Sequence, residues 1–302
     1  MASIKNFNPR SIPIATRSLL GAAIVLSLAG LVVPHEYLAL RPATSFYYIW
    51  TFALAGLWEI NIFSLAINSV GLVLSGKYFE SHWGTKEFAK YVAIVNLSTY
   101  FGVLLATVFE YAVTMDYFWL FGSEASGLAG LLAGFLVSFK QAVPEHSIKV
   151  FNVISIRAKY IPSLYLLANF ILFALRIIHV HFFIIFFGTL GSWVYTRFYK
   201  KQDGIKGDRS ETFSFASFFP DFLHPFIKPL SNTVYKFAVA AKLCPPLRQP
   251  LPTTTPVAAA GSQQAASNPP AASDADAERR RALALKALDS RLASTPDAPG
   301  AR

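Results

Sequence analysis

Long apolar runs, broken at intervals by short polar and basic clusters, fill the first 200 residues of this chain. A helix needs about 20 mostly apolar residues to cross a hydrocarbon core about 30 Å thick. Six runs answer to that requirement: about Thr16–Val33 (closed by Pro34), Trp50–Gly76, Phe88–Phe109, Phe118–Phe139, Tyr160–Leu175 and Ile177–Phe198. The second is polar in places, at Glu59, Asn61 and Asn68, and the fourth carries Glu124 as its one charge. Only Arg176 and the pair His179/His181 separate the last two runs, which predicts a tight helical hairpin. The pattern predicts an all-α polytopic membrane protein with a membrane domain over 16–200, after a cytosolic N-terminus at 1–15.

The pattern breaks after Lys201. Residues 202–212 are polar, and an aromatic stretch then runs from Phe213 to Pro220 and on to Ile227. It is too short and too rich in proline to span, so it lies on the membrane surface or packs against the bundle. It belongs to a membrane-proximal segment, 201–244. Residues 245–272 are rich in Pro, Ala, Thr, Ser and Gln without periodicity, a composition that cannot bury a core and predicts disorder. A short amphipathic helix is expected within 273–302. Ser273 or Asp274 can cap it, Asp276 and Glu278 suit the helix dipole, and Leu285, Leu288 and Leu292 share a face after Arg279-Arg280-Arg281. The reading is a helix that binds a partner or a membrane surface, against a merely solvated one.

Composition strengthens the membrane reading. The chain is 54% hydrophobic and 15% charged, against about 25% charged in ordinary soluble domains. A net charge of +10 would suggest nucleic acid in a soluble protein. Here the basic residues sort by loop. With the N-terminus cytosolic, that side receives Lys5, Arg10 and Arg17; Lys77, Lys86 and Lys90; Lys140, Lys149, Arg157 and Lys159; and Arg197, Lys200 and Lys201. The other side receives Arg41 and Arg176. The asymmetry fits both termini in the cytosol, explains the charge, and leaves no nucleic-acid partner to invoke. The lone Cys244 excludes an intrachain disulfide and a four-cysteine zinc site. No metal or cofactor motif is evident: there is no phosphate-binding glycine loop and no His-Glu-x-x-His. The first run follows Asn8-Pro9-Arg10 and Arg17 without a small-residue cleavage site, so it reads as a retained span.

Polar groups inside spans are costly and become functional candidates. The second run holds Ser64-x-x-x-Asn68 and, further on, Gly76-x-x-x-Glu80; the fourth holds Glu124-Ala-Ser126-Gly127 with Gly130 and Gly134; the sixth holds His179, His181, Gly188 and Gly191. Together these resemble the rhomboid family of intramembrane serine proteases, over about residues 15–200. That family has a Trp-Arg pair in the first loop, His-x-x-x-Asn and Gly-x-x-x-Glu on the second span, Gly-x-Ser-Gly on the fourth, and His-x-x-Gly-x-x-x-Gly on the sixth. The resemblance implies a six-helix rhomboid-like bundle with a mostly disordered cytosolic tail. It puts Ser126 in the nucleophile slot and Asn68 and Ser64 in the His-x-x-x-Asn slot. Gly127, Gly130, Gly134, Gly188 and Gly191 are expected to let helices approach closely.

The departures bear on activity. Thr51 stands for the loop arginine, Ser64 for the histidine, and Glu124 for the first glycine of Gly-x-Ser-Gly. Aligning the sixth span through Gly191 puts Ile184 in the base slot; aligning through Gly188 puts His181 there. A serine hydroxyl is a poor nucleophile without a base within about 2.6–3.2 Å. The core therefore reads as a vestigial site with a lost base, the alternative being a Ser126–His181 dyad. A second alternative, a transporter using Glu59, Glu110 and Glu124, finds no second repeat of the spans.

Further stretches narrow the resemblance: Phe7-Asn-Pro9, Trp83-Gly-Thr-Lys-Glu-Phe88, Ser138-Phe-Lys-Gln-Ala-Val-Pro-Glu145, Trp193-Val-Tyr-Thr-Arg-Phe-Tyr199, Phe213–Pro229 and Arg279–Asp289. This pattern looks like the transmembrane protein 115 family, rhomboid-like Golgi membrane proteins without a working dyad. The resemblance implies a Golgi location, a role in Golgi-to-endoplasmic-reticulum retrograde transport, and contact with the conserved oligomeric Golgi tethering complex. Transmembrane clients and a homo-oligomer are further partners it leaves open.

Overall fold

Helix α1 (Ile14–Ala29) starts where Pro13, with φ of −58°, supplies no backbone donor and a conformation that leads into a helix. It ends at Gly30, where a side chain could not fit: a Cβ there would lie 2.2 Å from the Trp58 indole nitrogen. These coordinates come from a computed structural model, which describes residues 12–144, 147–150, 154–202, 205–208 and 213–218. The expected disordered stretch at 245–272 and the tail leucines Leu285, Leu288 and Leu292 lie outside the described residues.

After a 3₁₀ turn (His35–Tyr37) and an irregular loop come a single-turn helix α2 (Thr51–Leu54) and the long α3 (Ile62–Trp83). Gly84, at φ +80°, turns the chain directly into α4 (Thr85–Thr114). A π-helical turn (Phe118–Gly122) and an extended piece lead to α5 (Ala129–Ala142). Then follow a hairpin of β1 (Ser147–Val150) with β2 (Ile154–Arg157), α6 (Ile161–Ala174), and α7 (Val180–Val194), which runs on as a π turn to Tyr199. A second antiparallel pair, β3 (Lys201–Gln202) with β4 (Ile205–Lys206), precedes a 3₁₀ turn at Phe215–Phe218.

The structure is helical, as the hydrophobic pattern predicts, with two small hairpins that an all-α reading did not include. Helices α3 and α4 are long and apolar enough to cross a membrane; α1, α5 and the segment Ala158–Ala174 are apolar but shorter. Two expected spans are interrupted. Trp50–Gly76 is broken between α2 and α3, where Gly56, Glu59 and Asn61 lie. A Cβ at Gly56 would meet Asn96 Oδ1 at 1.6 Å, and Asn96 uses that space to donate to the carbonyls of Phe52 and Ala53, at 3.1 and 3.0 Å. The run Phe118–Phe139 is broken at Ser123–Leu128, where the chain pairs with Leu40 instead of with its own turn.

Apolar residues face outward as much as inward. Phe63, Ile67 and Leu74 on α3, Phe101, Leu105 and Phe109 on α4, and Leu167 and Phe170 on α6 are all exposed. Only 22% of the apolar window of α3 is buried. Such a surface is unfavourable in water by about 25 cal/mol per Å² and costs nothing in hydrocarbon. The interior is built instead by close approach. A Cβ at Gly188 would lie 2.2 Å from the Gly130 carbonyl oxygen, so α5 and α7 meet backbone to backbone. At Gly191 it would lie 2.1 Å from Ser98 Oγ of α4, and at Gly134 it would lie 3.1 Å from Ser192 Cβ. Buried polar groups here are paired: Tyr91 Oη with Ser192 Oγ at 2.8 Å, Ser138 to Tyr91 at 3.1 Å, and Ser192 to the Gly134 carbonyl at 2.8 Å.

One end of the bundle is closed by the chain beyond α7. Trp193 donates to the Phe213 carbonyl at 3.1 Å, and Lys140 donates to the Ser217 carbonyl at 2.8 Å while lying 3.6 Å from the Phe218 ring centroid. Phe213 and Ala216 are buried. Of the two placements the sequence left open for this aromatic stretch, residues 213–218 take the one on the bundle. Beside them Lys200 lies over the Trp83 ring at 3.8 Å and is buried, and burial pulls its ammonium down to about 8, with Asp208 and Glu87 opposing.

Candidate functional site at the Ser126 elbow

Gly127 adopts φ +109°, a conformation that side-chain-bearing residues rarely take, and so makes the sharp turn from the extended Ser123–Ser126 piece into α5. Gly127 is thus a turn residue, while Gly130, Gly134 and Gly188 sit at helix contacts and Gly191 faces α4. Ties from four directions hold the elbow. Leu40 and Ala125 exchange both backbone hydrogen bonds at 2.9 Å, the Gly127 N–H donates to the Ala55 carbonyl at 2.8 Å, and Tyr100 Oη donates to the Gly127 carbonyl at 2.9 Å. The fourth tie is Glu59. Its Oε1 accepts the Leu128 backbone N–H at 2.8 Å and the Asn68 side-chain amide at 2.7 Å. The Glu59 N–H in turn donates to Ser27 Oγ at 3.1 Å. The carboxylate also lies 3.0 Å from where a Cβ of Gly127 would stand.

The chemistry of this arrangement follows from the helix end. The first N–H groups of α5 lack intrahelical partners and carry the positive end of its dipole, so they favour an anion. After a serine nucleophile, such donors would stabilise the oxyanion of acyl transfer. Here a side chain of the same protein already supplies the negative charge. A second anion within about 4 Å of it would be opposed by about 4 kcal/mol at an effective dielectric of about 20.

The two candidates for the base separate. Ile184 is buried and its Cγ2 comes within 3.0 Å of the Cβ position of Gly130, inside the α5–α7 contact. His181, a turn earlier on α7, is exposed. Ser126 is half-buried, and no hydrogen bond joins it to His181 among the described residues. Ser64 is half-buried in the first turn of α3, one turn before Asn68.

Glu124 pairs with Arg41, which also binds Glu36 at 2.8 Å. The hydrogen bond that Arg41 donates to Glu124 is the main reason its guanidinium is held above its ordinary range. Gly76-x-x-x-Glu80 has a different task at the opposite end of the bundle. Glu80 accepts the backbone N–H groups of Ala15 and Thr16 at 2.9 and 2.7 Å, and the Thr16 hydroxyl at 2.8 Å, so it caps α1. A Cβ at Gly76 would come within 2.5 Å of Thr16 Oγ1, so this glycine admits the capped first turn of α1.

In the sequence, Glu59 stands out only as a polar position of the run Trp50–Gly76 and in the transport alternative. Its position at the elbow was missed, because the chain break that brings it there had been read as continuous helix. The signal available was the polar pair Glu59 and Asn61 following Gly56 inside an apolar run.

Comparison with known proteins follows the same lines. The family model described as eukaryotic integral membrane protein (DUF1751) matches residues 17–294. Transmembrane protein 115 of Mus musculus is 31% identical over 291 residues, covering 95% of this chain and 81% of the relative. Rhomboid-like protein 19 of Arabidopsis thaliana is 32% identical over 224 residues, 72% of each chain. The transmembrane protein 115 homolog of Saccharomyces cerevisiae is 25% identical over 236 residues, covering 68% and 67%.

Proposed function

As this chain belongs to the eukaryotic integral membrane protein family DUF1751, together with the transmembrane protein 115 relatives, we propose that it is a non-catalytic rhomboid-like membrane protein that acts by binding. The observation that carries this reading is the Glu59 carboxylate on the α5 N-terminus. It fills the place where acyl transfer would need to receive negative charge, beside a serine with no hydrogen bond to a histidine among the described residues. A protein that holds the packing of a protease core around such a plug is suited to holding transmembrane clients or organising partners.

The proposed frame is six crossings, α1, α3, α4, α5, α6 and α7, with both termini cytosolic. Helices of 14 or 15 residues, such as α5 and α7, span only about 21–23 Å. The π turn to Tyr199 lengthens α7, and the buried elbow lengthens α5. Irregular backbone is tolerated at membrane depth where protein surrounds it, and Ser123, Ala125 and Leu128 are all buried. The orientation rests on the basic loops, and the Golgi location, retrograde transport and a tail contact to the conserved oligomeric Golgi complex rest on the family resemblance.

The test is incubation of purified protein in vesicles with a transmembrane reporter substrate. No cleavage is expected. Cleavage abolished by both Ser126→Ala and His181→Ala would overturn the reading and establish an intramembrane protease. For the tail, deleting 273–294 should remove co-purification of the tethering complex while membrane insertion persists; unchanged co-purification would place the contact elsewhere.

A further inference from the structure

Between α4 and α7 a groove of about 250 Å³ opens to the outside of the bundle. It is lined by Ile94 and Ser98 of α4, by Phe187, Gly191 and Val194 of α7, and by Tyr199 beyond it. Its floor lies where the two helices come closest: a Cβ at Gly191 would stand 2.1 Å from Ser98 Oγ. At one end Phe187 stops it, with a ring atom 2.3 Å from where a Cβ of Gly102 would be. At the other end the helices are tied again, Tyr195 Oη donating to Glu87 Oε1 at 2.6 Å. The groove is thus a fixed gap between two tied points and not a loose seam.

Its chemistry argues against a polar small molecule. Such sites measure about 300–1,000 Å³ and turn a few polar groups on their ligand. Here the Ser98 hydroxyl already donates to the Val95 carbonyl at 3.0 Å, and the Tyr195 hydroxyl is spent on Glu87. What remains is apolar lining with Ile94 and Tyr199 exposed at the lip.

Length and charge say what fills it. From Ile94 to Gly102 is eight residues of helix, about 12 Å at about 1.5 Å per residue. That fits within one leaflet, half of a hydrocarbon core about 30 Å thick. A spanning helix would continue through both leaflets, whereas the groove stops at Phe187. Lys86, Lys90, Ile94 and Ser98 follow one another at intervals of four and so form one ridge of α4. Both lysines are exposed, in line with the groove and just beyond it. Lys90 reaches Glu87 only at 3.7 Å, and Lys86 makes no ion pair among the described residues. Ammonium groups above an apolar slot between helices match a phosphate above an acyl chain.

We propose that the α4–α7 groove holds one acyl chain of an anionic glycerophospholipid, with its phosphate at Lys86 and Lys90. The lipid is drawn from the leaflet at the start of α4, and its headgroup is selected by charge. The inference requires membrane insertion only and is independent of whether the protein is catalytic.

The test uses the full chain in phosphatidylcholine vesicles that carry a small fraction of phosphatidylserine or of phosphatidylcholine with a photoreactive diazirine on one acyl chain. Labelled peptides are then mapped. The serine lipid should label the peptides around Ile94 and Val194 several-fold more than the choline lipid does, while the exposed face of α3 at Ile67 and Leu74 takes both alike. Lys86→Gln combined with Lys90→Gln should bring labelling by the serine lipid down to the choline level. Ile94→Trp, a change at the exposed lip, should lower labelling around Val194 by either lipid and leave the unfolding temperature level. Equal labelling by both lipids, or a preference that survives the lysine changes, would overturn the proposal and reduce the groove to ordinary lipid contact. An unlabelled groove would overturn it too and leave the gap to a protein span. Excess glycerophosphoserine, the headgroup without chains, should not compete; if it abolished the labelling preference, the lysines would bind a free phosphate ester and the groove would have no part in it.

Discussion

Glu59 and Leu128 are 69 residues apart and meet in a 2.8 Å hydrogen bond that closes the N-terminus of α5. The same carboxylate oxygen accepts from Asn68. One side chain thereby joins the break between α2 and α3 to the elbow and to the third helix. Glu59→Ala leaves a buried N–H and a half-buried amide without their acceptor, a loss of roughly 1–3 kcal/mol. The expected result is a lower unfolding temperature in detergent, with Glu59→Gln in between and Ser126→Ala close to the parent. An unfolding temperature unmoved by Glu59→Ala would show the carboxylate to be dispensable at the elbow.

Glu80 makes the matching prediction at the other end. It takes three donors from the start of α1, and loss of such a cap costs about 1–2 kcal/mol. In Glu80→Ala, hydrogen exchange should quicken at Ala15 and Thr16 and change little in α5. Uniform quickening through the whole bundle would mean that the cap is a global, not a local, support.

The glycines divide into two kinds that a single substitution distinguishes. Gly188→Ala drives a Cβ to 2.2 Å from the Gly130 carbonyl oxygen, a backbone atom that cannot swing aside. Overpacking of this sort costs about 1–3 kcal/mol, and more where nothing can give. Gly21 in α1 has nothing within 4 Å of its Cβ position, so Gly21→Ala should leave stability level or slightly raised. Equal effects from the two would contradict the α5–α7 backbone contact.

The closed end responds to pH through Lys200. Its folded value of about 8 lies below the ordinary 10.5, so the unfolded chain binds more protons between them. The burial penalty is present in full below about 8 and fades as pH rises toward 10.5. The unfolding temperature of the parent should therefore rise relative to Lys200→Met across that window. A constant difference would mean that the ammonium is not buried in solution.

The helical membrane character was legible because transfer into hydrocarbon is decided residue by residue, and long apolar runs declare it. The breaks were not, because irregular backbone at membrane depth is licensed by what surrounds it. Ser123–Leu128 is sheltered by Leu40, Ala55 and Tyr100, all distant in sequence. The spacing Gly76-x-x-x-Glu80 was visible as a motif, but its task is set by Thr16, 64 residues away from Glu80. Gly127 was grouped with the small residues of a helix face, since nothing local distinguishes a glycine needed for φ +109° from one needed for close packing. Phe213 and Lys140 belong to segments with no sequence sign of meeting.

The cap on α1 also has a schedule. Glu80 is made 65 residues after Ala15, so a ribosome that has just delivered the first apolar segment has not yet delivered the group that completes it. Until the end of α3 arrives, the first turn of α1 depends on water or lipid headgroups for its donors. Helix α1 is thus synthesised well before the side chain that completes its first turn, and the turn at Gly84 follows directly on the residues that bring the two together.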